Sequence, residues 1–214
     1  MFNQCDPNTN GELDFIQSIK DKLNIVFDVG CREDSLLLDL ECEAHYFEPN
    51  IEFFDQIRSK PNRNKKSFFN NFGLGNIESK LIYHKKHQSF IHRTKTCGQD
   101  NNTTIFDVKK AITYIRNNNI EFIDFLKIDV EGYELYVVQG FEDYLSKIKI
   151  IQFEYGGTYI DANIKLIDII NKLSTNFTNF NYLDKNKLVP IQDYEDHHQY
   201  CNIVCFNREE YNIS

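Results

Sequence analysis

Two carboxylates stand two residues apart at the end of an apolar run, in Phe125-Leu-Lys-Ile-Asp129-Val-Glu131-Gly132-Tyr-Glu134-Leu. A strand pattern that closes on acids and a glycine, then passes into a helix pattern, puts those acids at the mouth of a cleft. In an open α/β sheet, ligands bind just beyond the carboxyl ends of the strands. Carboxylates there can take a proton from a reacting hydroxyl, accept hydrogen bonds or hold a hard cation. Asp129 and Glu131 are the first candidates for such work, and Glu154, after Ile151-Gln-Phe on the next apolar run, is the third.

A second pair lies upstream. Asp28 and Gly30 close the run Asn24-Ile-Val-Phe, and Glu48 closes Ala44-His-Tyr-Phe twenty residues after Asp28. An acid at the end of the second strand of a nucleotide-binding fold accepts hydrogen bonds from ribose hydroxyls. Its two oxygens suit the two protons of a vicinal diol. Taken singly, Asp28 would read as a turn cap and Glu48 as a surface charge before Pro49. After Gly30 come Cys31-Arg-Glu-Asp34 instead of a G-x-G-x-x-G run. Two adjacent carboxylates repel a pyrophosphate, which wants bare amides. That argues against NAD, FAD and P-loop nucleotides and favours a ribose-bearing ligand without phosphate, of which S-adenosylmethionine is the common example.

The elements that must position these residues follow from hydrophobic periodicity. Strand patterns cover 24–30, 44–49, 66–72, 122–130, 148–155, 180–189 and 201–206. Helix patterns cover 11–22, 35–40 (with Asp34 as its cap), 51–59, 104–116, 134–141 and 160–173. Residues 80–96 alternate weakly and read as an excursion beside the sheet. Strands alternating with helices through residue 173 imply a mainly parallel sheet with helices on both faces, and the last two strands an antiparallel hairpin at one edge. The chain of 214 residues reads as a single domain over 1–214, with a tail and helix over 1–22 and a core over 24–206.

Composition narrows the partners. The net charge of -8 opposes phosphate-neutralising nucleic-acid binding. The short basic run Lys60, Arg63, Lys65, Lys66 reads as a solvated loop. Six cysteines include no C-x-x-C pair, so they read as free thiols in a reducing compartment. Without a signal peptide or an apolar stretch of membrane length, the expectation is a cytoplasmic protein with no membrane partner. Its oligomeric state is left open.

Five segments together resemble one family. Leu126-Lys-Ile-Asp-Val-Glu-Gly-Tyr-Glu-Leu135 looks like the signature of FkbM-type methyltransferases, in company with Phe27-Asp-Val-Gly30, Phe47-Glu-Pro-Asn50, Leu74-Gly-Asn76 and Thr104-Ile-Phe-Asp107. Order and spacing agree over residues 24–155, with a weaker echo to 206. The resemblance implies an α/β, Rossmann-like class I methyltransferase sheet of order 3-2-1-4-5-7-6 with strand seven antiparallel. It implies methyl transfer from S-adenosylmethionine to a hydroxyl of a small molecule, often a sugar or glycan precursor. Asp28, Gly30 and Cys31 would fall on the cofactor loop, Glu48 on the ribose, Leu74 near the adenine and Asp129 near the methyl. Glu131 or Glu154 would be the base. Asp129, Glu131 and Glu154 could instead hold Mg2+, but the site is read as metal-free. Asp34 departs from the family, which usually has a second glycine there, and Arg32 replaces a small or amide residue. Arg32 should pair with Asp34 or Glu33; the alternative is that Asp34 narrows the pocket. That alternative leaves a second function class, a catalytically silent binding or assembly protein of the same fold.

Overall fold

The computed structural model describes residues 2–84, 103–185 and 187–208. Its elements run α1 (Glu12–Ile19), β1 (Ile25–Val29), β2 (Glu43–Phe47), α2 (Ile51–Ser59), β3 (Lys66–Asn70), β4 (Gly73–Gly75), β5 (Ser79–His84), β6 (Thr103–Lys110), α3 (Ala111–Asn117), β7 (Ile123–Ile128), α4 (Glu134–Gly140), β8 (Ile148–Tyr155), α5 (Thr158–Ala162), α6 (Leu166–Leu173), β9 (Phe177–Asp184), β10 (Lys187–Pro190) and β11 (Cys201–Asn207). No helix among the described residues is long and apolar enough to cross a membrane.

Eight strands form one sheet in the order β3-β2-β1-β7-β8-β11-β9-β10. Without the edge strand β10, this is the expected 3-2-1-4-5-7-6 order, with β11 antiparallel to both neighbours. The antiparallel edge hairpin is β9–β10, while β11 inserts between β8 and β9. β1 lies between β2 and β7, parallel to both. A strand buried on both faces reads as a continuous apolar run, which is why Ile25-Val-Phe carries so little alternation. Successive side chains then feed opposite cores. Val26 packs with Phe15, Tyr46 and Phe125, and Phe27 with Phe47, Tyr114 and Phe141.

Registration of β1, β2 and β7 places the candidate acids side by side. Val29 pairs with Phe47 and with Ile128. Beyond these pairs, the Gly30 amide donates to the Phe47 carbonyl at 2.9 Å and the Asp129 amide to the Val29 carbonyl at 2.9 Å. The order reverses at β1, so the crevice beyond these strand ends is the switch point where such sheets bind ligands.

Four element readings change. Residues 104–116, expected as one helix, are strand β6 followed by the short α3. Phe106 and Val108 are buried between exposed neighbours, a period of two that packs β6 between β4 and β5 in a separate three-stranded sheet. Residues 36–39 form a single 3-10 turn, and its cap is Ser35, whose hydroxyl accepts from the Leu37 amide; Asp34 does not cap it. The 160–173 helix breaks at Asn163, whose φ of 53° ends α5. The 180–189 strand bends at Asp184 into β9 and β10. The excursion expected over 80–96 begins as β5; its remainder, with His87, His92 and Cys97, lies outside the described residues.

Candidate active site

The site is a cleft along the carboxyl edge of β1, β2 and β7, roofed by the three-stranded sheet. Gly30, Arg32, Glu48, Asn50 and Phe53 line one side, and Asp129, Val130, Glu131 and Tyr133 the other. Leu74 of β4, Tyr83 of β5 and Phe106 and Val108 of β6 close it with apolar surface, leaving about 660 Å³ of empty space including the open mouth. Tyr83 and Phe106 stack with centroids 5.0 Å apart. Sequence reasoning missed both, and the period of two through Phe106 and Val108 was the available signal.

Glu48 is buried at the cleft wall, not a surface charge. One carboxylate oxygen accepts from the Arg32 amide at 2.9 Å and the other from the Asn50 amide at 2.7 Å. Two amides fix the carboxylate in place, and each oxygen keeps a further acceptor site for a ligand. Burial pushes Glu48 up to about 7, against the pull of the Asn50 and Arg32 amides and the Arg32 guanidinium.

Gly30 serves the loop itself. Its φ is +86°, and a Cβ there would sit 1.9 Å from the Asp129 carbonyl oxygen. Only glycine lets the end of β1 touch the end of β7 this closely. Arg32 lines the cleft, lies over the Phe53 ring at 5.1 Å and pairs with Glu33 at 3.4 Å. Asp34 turns outward to Lys60 at 2.8 Å and does not line the cleft. Asp28 and Cys31 are almost fully buried behind the loop and do not line it either. Asp28 accepts from the Ser35 hydroxyl, and Cys31 packs in the core with Leu37 and Tyr46.

Behind Asp129 sits a largely buried cation, 15% exposed. The Lys127 ammonium lies 3.4 Å from Glu12, 3.9 Å from Asp28 and 3.6 Å from Asp129. Burial alone would press it down, but Glu12, Asp28, Asp129 and Glu154 outweigh that and hold it well above its ordinary value. Asp28 is raised by burial against the opposing pull of Lys127 and Ser35.

β7 ends at Ile128, so strand parity does not reach Glu131. Glu131 instead enters the cleft through a left-handed backbone, φ 56°, followed by Gly132 at φ 94°. An L-residue rarely adopts this conformation, and it concentrates at functional loops. Glu134 holds the loop from inside. It is buried, and one of its oxygens accepts from the Val130 amide at 3.0 Å and the Gly132 amide at 3.3 Å. Burial pushes Glu134 up to about 8, and burial with the neighbouring Asp129 pushes Glu131 up to about 7. Glu154 is held well above its usual range by burial and then by Asp129.

The strand register brings β8 beside β7, so Asp129, Glu131 and Glu154 converge, each presenting an oxygen within 4.8 Å of the others. Three such oxygens could accept a proton or hold a hard cation. Tyr155 and Tyr159 are core residues, and His197 packs on Phe2, Tyr155 and Tyr182 away from the cleft.

Comparison with known proteins bears on this arrangement. No curated protein matches the chain in sequence. Among solved structures, the N-methyltransferase NodS from Bradyrhizobium japonicum WM9, in complex with S-adenosyl-L-homocysteine, superposes with a TM-score of 0.51 and 8% identity, covering 96% of this chain and 90% of that one. A second NodS structure gives a TM-score of 0.50 at 7% identity, covering 92% and 94%. These likenesses establish the fold: a class I methyltransferase sheet. A family model described as the methyltransferase FkbM domain matches residues 31–182, which hold the Glu48 wall, the Asp129 loop and the apolar roof between them. The chain therefore belongs to the FkbM methyltransferase family.

Proposed function

We propose that this protein transfers a methyl group from S-adenosylmethionine to a hydroxyl oxygen of a small molecule, a sugar or glycan precursor. One observation carries the reading. Glu48, fixed by two backbone amides at the end of β2, stands across an apolar cleft from the carboxylates at the end of β7. The donor set fits the cofactor. Glu48 would accept from the ribose hydroxyls, and the slot of Leu74, Phe106 and Val108 would take the adenine. Asp129 would face the cationic sulfonium end. NodS, which shares the fold, holds S-adenosyl-L-homocysteine. When bound, the cofactor supplies an electrophilic methyl carbon.

The protein's part is alignment and proton removal. Glu131, raised to about 7, and Glu154, held well above its usual range by burial, are the candidate bases for the acceptor hydroxyl. Lys127 places one positive charge behind Asp129. Asp34, turned to Lys60, leaves the cofactor loop open. That favours an enzyme over a silent binding protein.

Calorimetry with S-adenosylmethionine and S-adenosylhomocysteine tests the cofactor. Saturable one-to-one binding is expected, and no heat at millimolar ligand, with folded protein, refutes it. Transfer of a labelled methyl group to a panel of sugars and other alcohols tests the acceptor. A product methyl stable to mild base and acid marks an ether, whereas a base-labile methyl marks a carboxyl acceptor and overturns the O-alkyl reading.

A further inference from the structure

We propose that Glu12, on the N-terminal helix, is a positioning residue that acts on the active site through Lys127. The proposal rests on the cofactor reading above, because it concerns the field at Asp129. Glu12 lies outside the residues that the family model matches.

The helix is built to deliver this carboxylate. Glu12 is 7% exposed, which is rare for a glutamate unless it is paired. The Asn10 side chain accepts from the Glu12 amide at 2.9 Å and fixes the first turn. Gly11 has a φ of +94°, and a Cβ there would meet the Lys185 backbone nitrogen at 2.7 Å. The helix start is thereby seated against the turn between β9 and β10. Phe15 anchors the next turn on Phe125 and Phe206. Glu12 itself accepts from the Gln152 amide at 2.8 Å and faces Lys127 at 3.4 Å.

The arrangement makes Lys127 a shared cation. Four carboxylates act on it from four elements: Glu12 from α1, Asp28 from β1, Asp129 from the end of β7 and Glu154 from β8. The Lys127 distances to Glu12 and Asp129 place those two carboxylates within 7 Å of each other. Glu12 therefore draws the ammonium back from Asp129 and adds one negative charge behind the position assigned to the sulfonium. Both effects favour the cationic cofactor over its neutral product.

The test is E12Q, which keeps the oxygen that accepts from Gln152 and removes only the charge. S-Adenosylmethionine affinity should fall about tenfold and S-adenosylhomocysteine affinity by no more than about threefold, as a unit charge lost at this range implies. E12D, which restores the charge, should recover most of the preference. Equal loss for both ligands, or no loss for either, overturns the proposal, since a purely structural helix contact would move both together. A crystal structure of unliganded E12Q gives a readout independent of any ligand. The Lys127 ammonium should move off α1 toward Asp28 and Asp129, and an unmoved Lys127 also overturns the proposal. Wild-type protein that binds neither ligand sinks the cofactor reading and this role with it. A displaced Lys127 would then show that the coupling exists without serving that cofactor.

Discussion

Glu134→Gln should stabilise this protein, and the gain should grow with pH. The residue is 1% exposed. One oxygen accepts from the Val130 and Gly132 amides; the other is buried and has no hydrogen-bond partner among the described residues. Two amides at the start of α4 favour the carboxylate, but burial wins and pushes the group up to about 8. An unfolded glutamate titrates near 4.5. Between those values the folded protein holds a proton that the unfolded chain releases. The contribution is fully present below about pH 4.5 and is lost as pH rises through about 8, at roughly 1.4 kcal/mol per pH unit. By pH 8 the loss reaches about 4 kcal/mol. Glutamine mimics the protonated acid, keeps the acceptor for both amides and has no such loss. Glu48 and Glu131 titrate in the same window but are present in both proteins, so their effects cancel. Urea unfolding at pH 5, 6, 7 and 8 measures the difference. The two proteins should be within about 1 kcal/mol near pH 5, and the variant should lead by several kcal/mol at pH 8. Parallel stability curves would refute the reasoning, because they would mean that Glu134 is ionised in the fold and that its amide bonds outweigh its burial.

The other expectations concern the cofactor loop. Gly30→Ala puts a methyl on the Asp129 carbonyl and forces an L-residue to positive φ. It should cost about 3 kcal/mol or more, or roughly 6–12 °C in Tm by thermal denaturation, and abolish cofactor binding. Asp34→Gly introduces the glycine that the family resemblance implies and removes only exposed contacts, to Lys60 and to the Ser35 amide; S-adenosylmethionine affinity by calorimetry should change less than about twofold, as for a surface ion pair. Glu48 ionises through about 7, so cofactor affinity should strengthen between pH 6 and 8. Glu48→Gln should flatten that profile and weaken binding about tenfold or more, the worth of a charge-assisted hydrogen bond.

Much of the frame was legible because three strands of the parallel core announce themselves by runs that end on chemistry. Phe27-Asp-Val-Gly30, Phe47-Glu48 and Ile128-Asp129 mark three strand ends, and parallel pairing brings three ends of equal register to one edge. Where the reading failed, local pattern and tertiary demand diverged. Phe106, Val108, Ile112 and Ile115 mix periods of two and of three, because the chain changes from strand to helix at Ala111. Asp28 and Glu48 look alike as strand-end acids. They differ in depth: Asp28 pairs with Tyr46 inside the sheet and reaches Ser35 and Lys127, whereas Glu48 lies beyond the last pair of β2 and reaches the cleft.

The least legible part is the charge balance around Lys127. Its partners at positions 12, 28, 129 and 154 come from four elements, and no spacing rule links them. Sequence alone reduces Glu12 to one acid in a polar N-terminal stretch. The ammonium is the constraint, since removing Lys127 would leave buried carboxylates without their cation, at about 3–5 kcal/mol. Asp129 lines the cleft, 30% exposed, whereas Asp28 and Glu12 are buried. A change at Glu12 or Asp28 reaches the cleft through Lys127 and Asp129, which couples the N-terminal helix to the candidate site although Glu12 does not line the cleft.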